Sequence, residues 1–191
     1  MATIDSLASD SFDVVIDLDF DSQAKERGDK LAQITANYYL VGAVLTQLAL
    51  VNTSLPASRT FGICAVAGLI ARPVLEYSTT TNSTLDDTLI KSLNYESGIK
   101  VEDRVGMVTP RILAMIINEA YYTFQEGTAS KSDIDVGMKL GTAYPKGPFE
   151  WADKMGLYFV YSLLLAVYQD TMDERYKICN RLKTEALSTH F

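Results

Sequence analysis

The hydrophobic pattern of this chain changes period once, near residue 100, and that change limits the folds open to it. Ahead of it, short apolar runs alternate with polar stretches. They are Phe12-Asp13-Val14-Val15-Ile16-Asp17-Leu18, then residues 44–51, 60–66 and 73–77. Runs of four to eight residues bounded by turn residues read as buried strands. Residues 22–38 carry Leu31 and Ile34 among polar neighbours, as on a surface helix. Together these predict a parallel sheet with helices on its faces. A polar loop over 79–84, a short helix over 85–93 and a polar connection over 96–104 follow. Beyond them no strand pattern occurs. Thr109 and Pro110 form an N-cap and first-turn pair, and the helix they open stops at Gly127. Ser132 followed by Asp135 opens a second helix, Gly147-Pro148 a third, and Met172-Asp173 separates the last two. The expected organisation is an α/β half over residues 1–100 and an all-helical half over 101–191.

At 191 residues, 48% of them apolar and 21% charged, the chain has enough material for a core. A net charge of −7 without a Lys/Arg cluster argues against nucleic acid as a partner. The longest apolar runs, 38–51 and 157–168, fall short of the roughly 20 residues of a bilayer span. The start, Met1-Ala2-Thr3-Ile4-Asp5-Ser6, has neither a basic leader nor an apolar stretch. Cys64 and Cys179 are too few for a disulfide framework and read as reduced thiols, so the expectation is a cytoplasmic chain away from membranes. The one histidine, His190, reads as a solvated tail residue. Asp17, Asp19 and Asp21 read as a solvated turn, and no spacing of His, Cys, Asp and Glu suggests a metal.

Several motifs in the second half carry a resemblance. Asn118-Glu119-Ala120 comes first, then Glu126-Gly127-Thr128-Ala129-Ser130, Asp133-Ile134-Asp135 and Met138-Lys139-Leu140-Gly141. After them stand Tyr144-Pro145-Lys146-Gly147-Pro148-Phe149-Glu150-Trp151-Ala152-Asp153 and Asp173-Glu174-Arg175-Tyr176-Lys177-Ile178-Cys179. In this order and spacing they resemble the helical C-terminal domain of L-3-hydroxyacyl-CoA dehydrogenases, from about Gly106 to about Leu187. Asp13-Val14-Val15-Ile16-Asp17 looks like a strand of that family, and Asn52-Thr53-Ser54 like its Asn-Thr-Ser-Ser turn. The stretch from Gly62 to Tyr77 lies without a gap on the family's segment from catalytic His to catalytic Glu. The resemblance implies an incomplete Rossmann-like α/β part followed by a helical dimerisation domain. It further implies NAD as the family's cofactor and a 3-hydroxyacyl-CoA as its substrate.

Laid on that pattern, the catalytic parts are changed. The glycines stand at 28, 42, 62, 68, 98, 106, 127, 137, 141, 147 and 156, and no two are two positions apart. A G-x-G-x-x-G pyrophosphate turn is therefore absent from this sequence, and no NAD site is expected. Only twelve residues precede Asp13, too few for the family's first β-α-β unit. Glu76 matches the family's glutamate, but Cys64 stands at the histidine position and Pro110 at the position of a substrate-contacting Asn. A thiol is a poor general base beside a carboxylate, and Pro110 offers no side-chain hydrogen bond. Cys64 reads as a small packing residue, and Arg72 is a candidate partner for Glu76. Ser54 either hydrogen-bonds a ligand or stabilises its turn. The function expected from the sequence is a non-catalytic relative that dimerises through its helices and binds acyl-CoA or a full-length relative. The alternatives are an active oxidoreductase of acyl-CoA metabolism and a structural dimer without ligand.

Overall fold

A computed structural model describes residues 11–51 and 53–188, so His190 and Asn52 lie outside the described residues. The chain divides into two compact units. One is Met1–Val66 with Ile70–Met107, and the other Ala67–Leu69 with Val108–Phe191. The boundary expected near residue 100 falls inside the last strand of the first unit.

The first unit is a five-stranded sheet in the order β1-β2-β3-β4-β5. The strands are β1 Ser11–Asp17, β2 Thr35–Gly42, β3 Thr60–Ile63, β4 Val74–Ser78 and β5 Ser97–Val101. Helix α1, Ala24–Leu31, connects β1 to β2, and α2, Asp87–Ser92, connects β4 to β5. β1, β2 and β3 are parallel, as expected, with Asp17 opposite Val41 and Leu40 opposite Phe61. β4 runs antiparallel to β3, pairing Gly62 with Ser78, and parallel to β5. The all-parallel expectation is thus corrected to a mixed sheet. The chain turns back after β3 and pairs immediately, without a crossover helix.

Two more corrections concern element limits. The helix expected over 22–38 ends at Leu31, and β2 begins four residues later. Tyr39 makes that turn: its hydroxyl donates to the Ile34 carbonyl at 2.5 Å and accepts from the Ala36 amide at 3.2 Å. Thr35, Tyr38, Tyr39 and Val41 are strand-favouring, and burial against the sheet outweighs the helical spacing of Leu31 and Ile34. Residues 44–51 form turns and a short 3-10 segment, not a strand. Their amides are held by carboxylates, Asp21 on Val44 and Leu45 and Asp103 on Leu48 and Ala49.

Alternation sends neighbouring residues of each strand to opposite faces. Tyr39 and Val41 join Phe20, Leu31 and Ile34 in one cluster, while Leu40, Phe61, Leu75 and Tyr77 join Leu85 and Ile90 in the other. Glu76 and Cys64 stand on the face turned away from Tyr77 and Ile63.

The second unit contains α3 Thr109–Gln125, α4 Lys131–Thr142, α5 Pro148–Met155, α6 Leu157–Thr171 and α7 Asn180–Ser188. Thr109 is the first residue of α3 rather than its cap, and Ser130 caps α4, accepting from the Asp133 amide, two residues before the expected Ser132. Ile117, Val160, Leu163, Leu164 and Leu182 are fully buried. Asn118 on α3 takes the place of a backbone partner. Its amide donates to the Lys177 carbonyl and its oxygen accepts from the Cys179 amide, both at 2.9 Å. Gln125 accepts from Arg181 N–H in the first turn of α7. The Lys131 ammonium sits 5.0–5.3 Å from the ring centres of Tyr121, Phe124 and Phe149 and bonds Glu185 at 2.6 Å, linking α3, α4, α5 and α7.

Candidate functional site

In parallel α/β sheets ligands gather outside the carboxyl ends of the strands, and these ends of β1–β3 lie close together here. A Cβ on Gly42 would meet the Leu18 carbonyl at 2.7 Å and the Ala65 Cβ at 2.9 Å, so only glycine fits between the neighbouring chains. The acidic residues leaving β1 are not a solvated turn. Asp17 is buried and receives Arg27 through two N–H groups, at 2.7 and 2.6 Å, and Arg27 also reaches the exposed Asp19. Asp21 accepts the Val44 and Leu45 amides at 2.7 and 2.8 Å, and burial pushes its carboxyl above the usual range. These contacts turn the loop amides at the strand ends toward the protein's own carboxylates.

Next to this edge the antiparallel β3–β4 pairing brings Cys64 opposite Glu76, with the Cys64 amide donating to the Glu76 carbonyl at 3.1 Å. Both are buried. The Arg72 guanidinium approaches the Glu76 carboxylate at 3.8 Å. Burial first, and then the Glu76 charge, push the Cys64 thiol up to about 11, against an opposing pull from Arg72. Tyr95 completes the group, its hydroxyl donating to the Ile70 carbonyl at 2.9 Å and its pKa raised by burial and by Cys64. Arg72 was legible from its spacing to Glu76. Tyr95 was not, because it follows α2 in a loop with no pattern to mark it.

Near neutral pH the Cys64 thiol keeps its proton, and Arg72 stands beside the Glu76 carboxylate. The group is a closed polar cluster. The other named positions lie elsewhere. The turn leaving β2 is residues 43–47, and Ser54 sits on the next loop, exposed, its amide donating to Asp29. Its neighbours Thr53 and Leu55 line a cavity of about 310 Å³ with Phe20, Leu48, Thr60 and Thr80. Pro110 is buried in the first turn of α3, in the helical unit. Among the described residues no group of three His, Cys, Asp or Glu could hold a metal, and no helix is long and apolar enough to cross a membrane.

A partial doubly wound sheet joined to a helical unit is the class that these features define. Residues 106–190 match the 3-hydroxyacyl-CoA dehydrogenase C-terminal domain. It is 40% identical to 3-hydroxyadipyl-CoA dehydrogenase of Escherichia coli over 89 residues, 47% of this chain and 19% of that one. The crystal structure of (S)-3-hydroxybutyryl-CoA dehydrogenase PaaH1 from Ralstonia eutropha superposes with a TM-score of 0.77 at 26% identity, over 99% of this chain and 69% of that one. FadB2 of M. tuberculosis shares the fold, with a TM-score of 0.80 at 15% identity, over 99% and 70%. The chain thus spans a minor part of the curated E. coli relative and about two thirds of the solved structures.

Proposed function

We propose that this chain is a non-catalytic member of the family that keeps the helical self-association surface and at most an acyl-CoA-binding role. The observation that carries the reading is Cys64. At the position of the family's general base stands a buried thiol with a pKa near 11, opposite a glutamate already bridged by Arg72. Loss of a general base alone lowers rates by about 10²–10⁴. The sequence has no glycine turn, and Pro110 replaces the substrate-contacting Asn.

Self-association is supported by the surface of α3. Ile112, Met115, Ile116 and Glu119 border a cavity of about 410 Å³, and Ile116 and Glu119 also line an apolar one of about 390 Å³ with Ile134 and Met138 of α4. Ile112, Val136 and Leu140 are exposed, and α4 has no fully buried residue. An apolar helix face of this kind calls for a partner, and we assign a second copy of the chain. The two free, buried cysteines fit the cytoplasm.

Calorimetry with NADH and with acetoacetyl-CoA, each alone, tests this function. No NADH binding at micromolar concentration is expected. A dissociation constant below about 10 μM, roughly 7 kcal/mol of binding, overturns the reading. The names of the relatives favour the alternative, an active oxidoreductase, which requires both ligands to bind and NADH to be consumed.

A further inference from the structure

We propose that the surface of α3 holds a site for a free long-chain carboxylate, whose binding excludes the second copy and so controls self-association. The proposal rests on the self-association assigned to α3 above and adds a ligand to it. The two cavities along this helix share Ile116 and Glu119, so they form one trough. It runs from Arg111 to Thr123, about 18 Å of helix. Its two parts, about 410 and 390 Å³, are of the size of small-molecule sites.

The two ends of the trough differ in chemistry. At one end the Arg175 and Arg111 guanidiniums lie 4.7 and 5.8 Å from the centre of the buried Tyr176 ring. Arg175 places its Nε 3.3 Å from Asp173 and donates from one Nη to the Tyr176 hydroxyl at 2.7 Å. Among the described residues its other Nη has no acceptor. The planar fork of a guanidinium matches a carboxylate. Beyond the arginines, Ile112, Met115 and Ile116 make an apolar floor, which Ile134 and Met138 of α4 continue. A Cβ on Gly137 would meet nothing within 4 Å, so the far part of the trough is open.

The occupant follows from this order of groups. A trough with cations at one end and an apolar floor suits a negative head on a linear apolar tail. Glu119, exposed at the rim shared by the two parts, repels a negative group there and sends the head to the arginines. An alcohol or an alkylammonium covers the same floor but offers the guanidiniums no anion. An acyl thioester has no charge at its head and fits less well. Ile112, Met115 and Ile116 would lie under the tail, and the same side chains border the face assigned to the second copy. Acid and copy therefore exclude one another, and acid bound to the single chain draws the pair apart by mass action.

The test is titration calorimetry with decanoate, decan-1-ol and decyltrimethylammonium, each below its micellar concentration, beside light scattering of the same samples. Saturable decanoate binding is expected, about tenfold tighter than that of either control or more. The mass should fall from near twice 21.1 kDa toward 21.1 kDa as the site fills. Decanoyl-CoA should neither displace decanoate nor change the mass. Arg175→Gln, and Arg111→Gln as a second variant, should each weaken decanoate about tenfold, with decan-1-ol binding and circular dichroism unchanged. Absence of saturable decanoate binding overturns the proposal, as does equal binding of decan-1-ol. So does binding indifferent to both arginine variants, or displacement by decanoyl-CoA, which would assign the trough to a thioester. Decanoate binding that leaves a dimeric mass unchanged overturns the control of self-association. A mass near 21.1 kDa before any ligand is added instead overturns the self-association proposed above, and decanoate binding then decides the acid site alone.

Discussion

Cys64 has consequences at the residue scale that are measurable without any substrate. The folded chain holds its thiol near pKa 11, against about 8.5 for an unperturbed cysteine. Because the folded value is raised, the folded state keeps a proton that the unfolded state gives up. The stabilisation is present in full below about pH 8.5 and is lost as the pH rises through 11. Two units or so of shift correspond to about 2 to 3 kcal/mol. Wild type should therefore lose that much more stability than Cys64→Ser between pH 8 and 11, measured by denaturant titration at each pH. Parallel curves for the two proteins would contradict the burial-and-charge account. Restoring the imidazole should not restore turnover. In Cys64→His the new ring would compete with Arg72 for Glu76, and under the proposed function the cofactor cradle and the Asn are missing as well, parts that act as a unit with the base. NADH oxidation with acetoacetyl-CoA by this variant, clearly above wild type, would contradict that expectation.

Among the elements, the junction of α4 and α5 makes the sharpest demand on sequence. Asp135 of α4 accepts the Phe149 and Glu150 amides at 2.8 and 3.2 Å, satisfying the start of α5, and the Gly147 amide donates to Glu150 at 2.9 Å. A Cβ on Gly147 would collide with the Asp135 carboxylate. Gly147→Ala should lower stability by about 1–3 kcal/mol through overpacking and Asp135→Ala by about 1 kcal/mol through the lost cap, both readable from denaturation midpoints. The start of α5 was legible from Gly147-Pro148, but the reach of Asp135 to it was not, because the sequence places Asp135 in the opening of its own helix. The helical half was otherwise legible, since its starts and stops are local. The sheet was less so. β1 announced itself as a β-branched run, whereas β2 was hidden behind the helical spacing of Leu31 and Ile34. β5 has an exposed, mixed surface, with Ile99 55% exposed, so no alternation marks it. The reversal of β4 depends on pairing across the fold, which no local pattern encodes. In the candidate site the same division holds. The substitution at Cys64 was visible in the residues, but its closure by Tyr95 and the clamping of 44–49 by Asp21 and Asp103 arise only on folding.

For the whole molecule, the surface of α3 predicts the mass in solution. Light scattering at micromolar concentration should give a value near 42 kDa, twice the 21.1 kDa of one chain. A mass near 21 kDa would refute self-association. Ile116→Asp should dissociate the pair, because it buries a charge without a partner. If that variant stays dimeric and folded, the interface lies elsewhere.

The antiparallel run of β3 and β4 bears on how such a chain can drift over evolutionary time. Cys64 and Glu76 meet because one strand returns beside the other, so residues added or lost between them, outside the two strands, would leave the meeting intact. A residue inserted within β4 ahead of Glu76 would instead turn its carboxylate to the opposite face of the sheet. The pair tolerates change in loop length and is broken by a slip of one strand position. A lineage that abandons chemistry at this site can therefore do so by point substitution and keep its sheet in register.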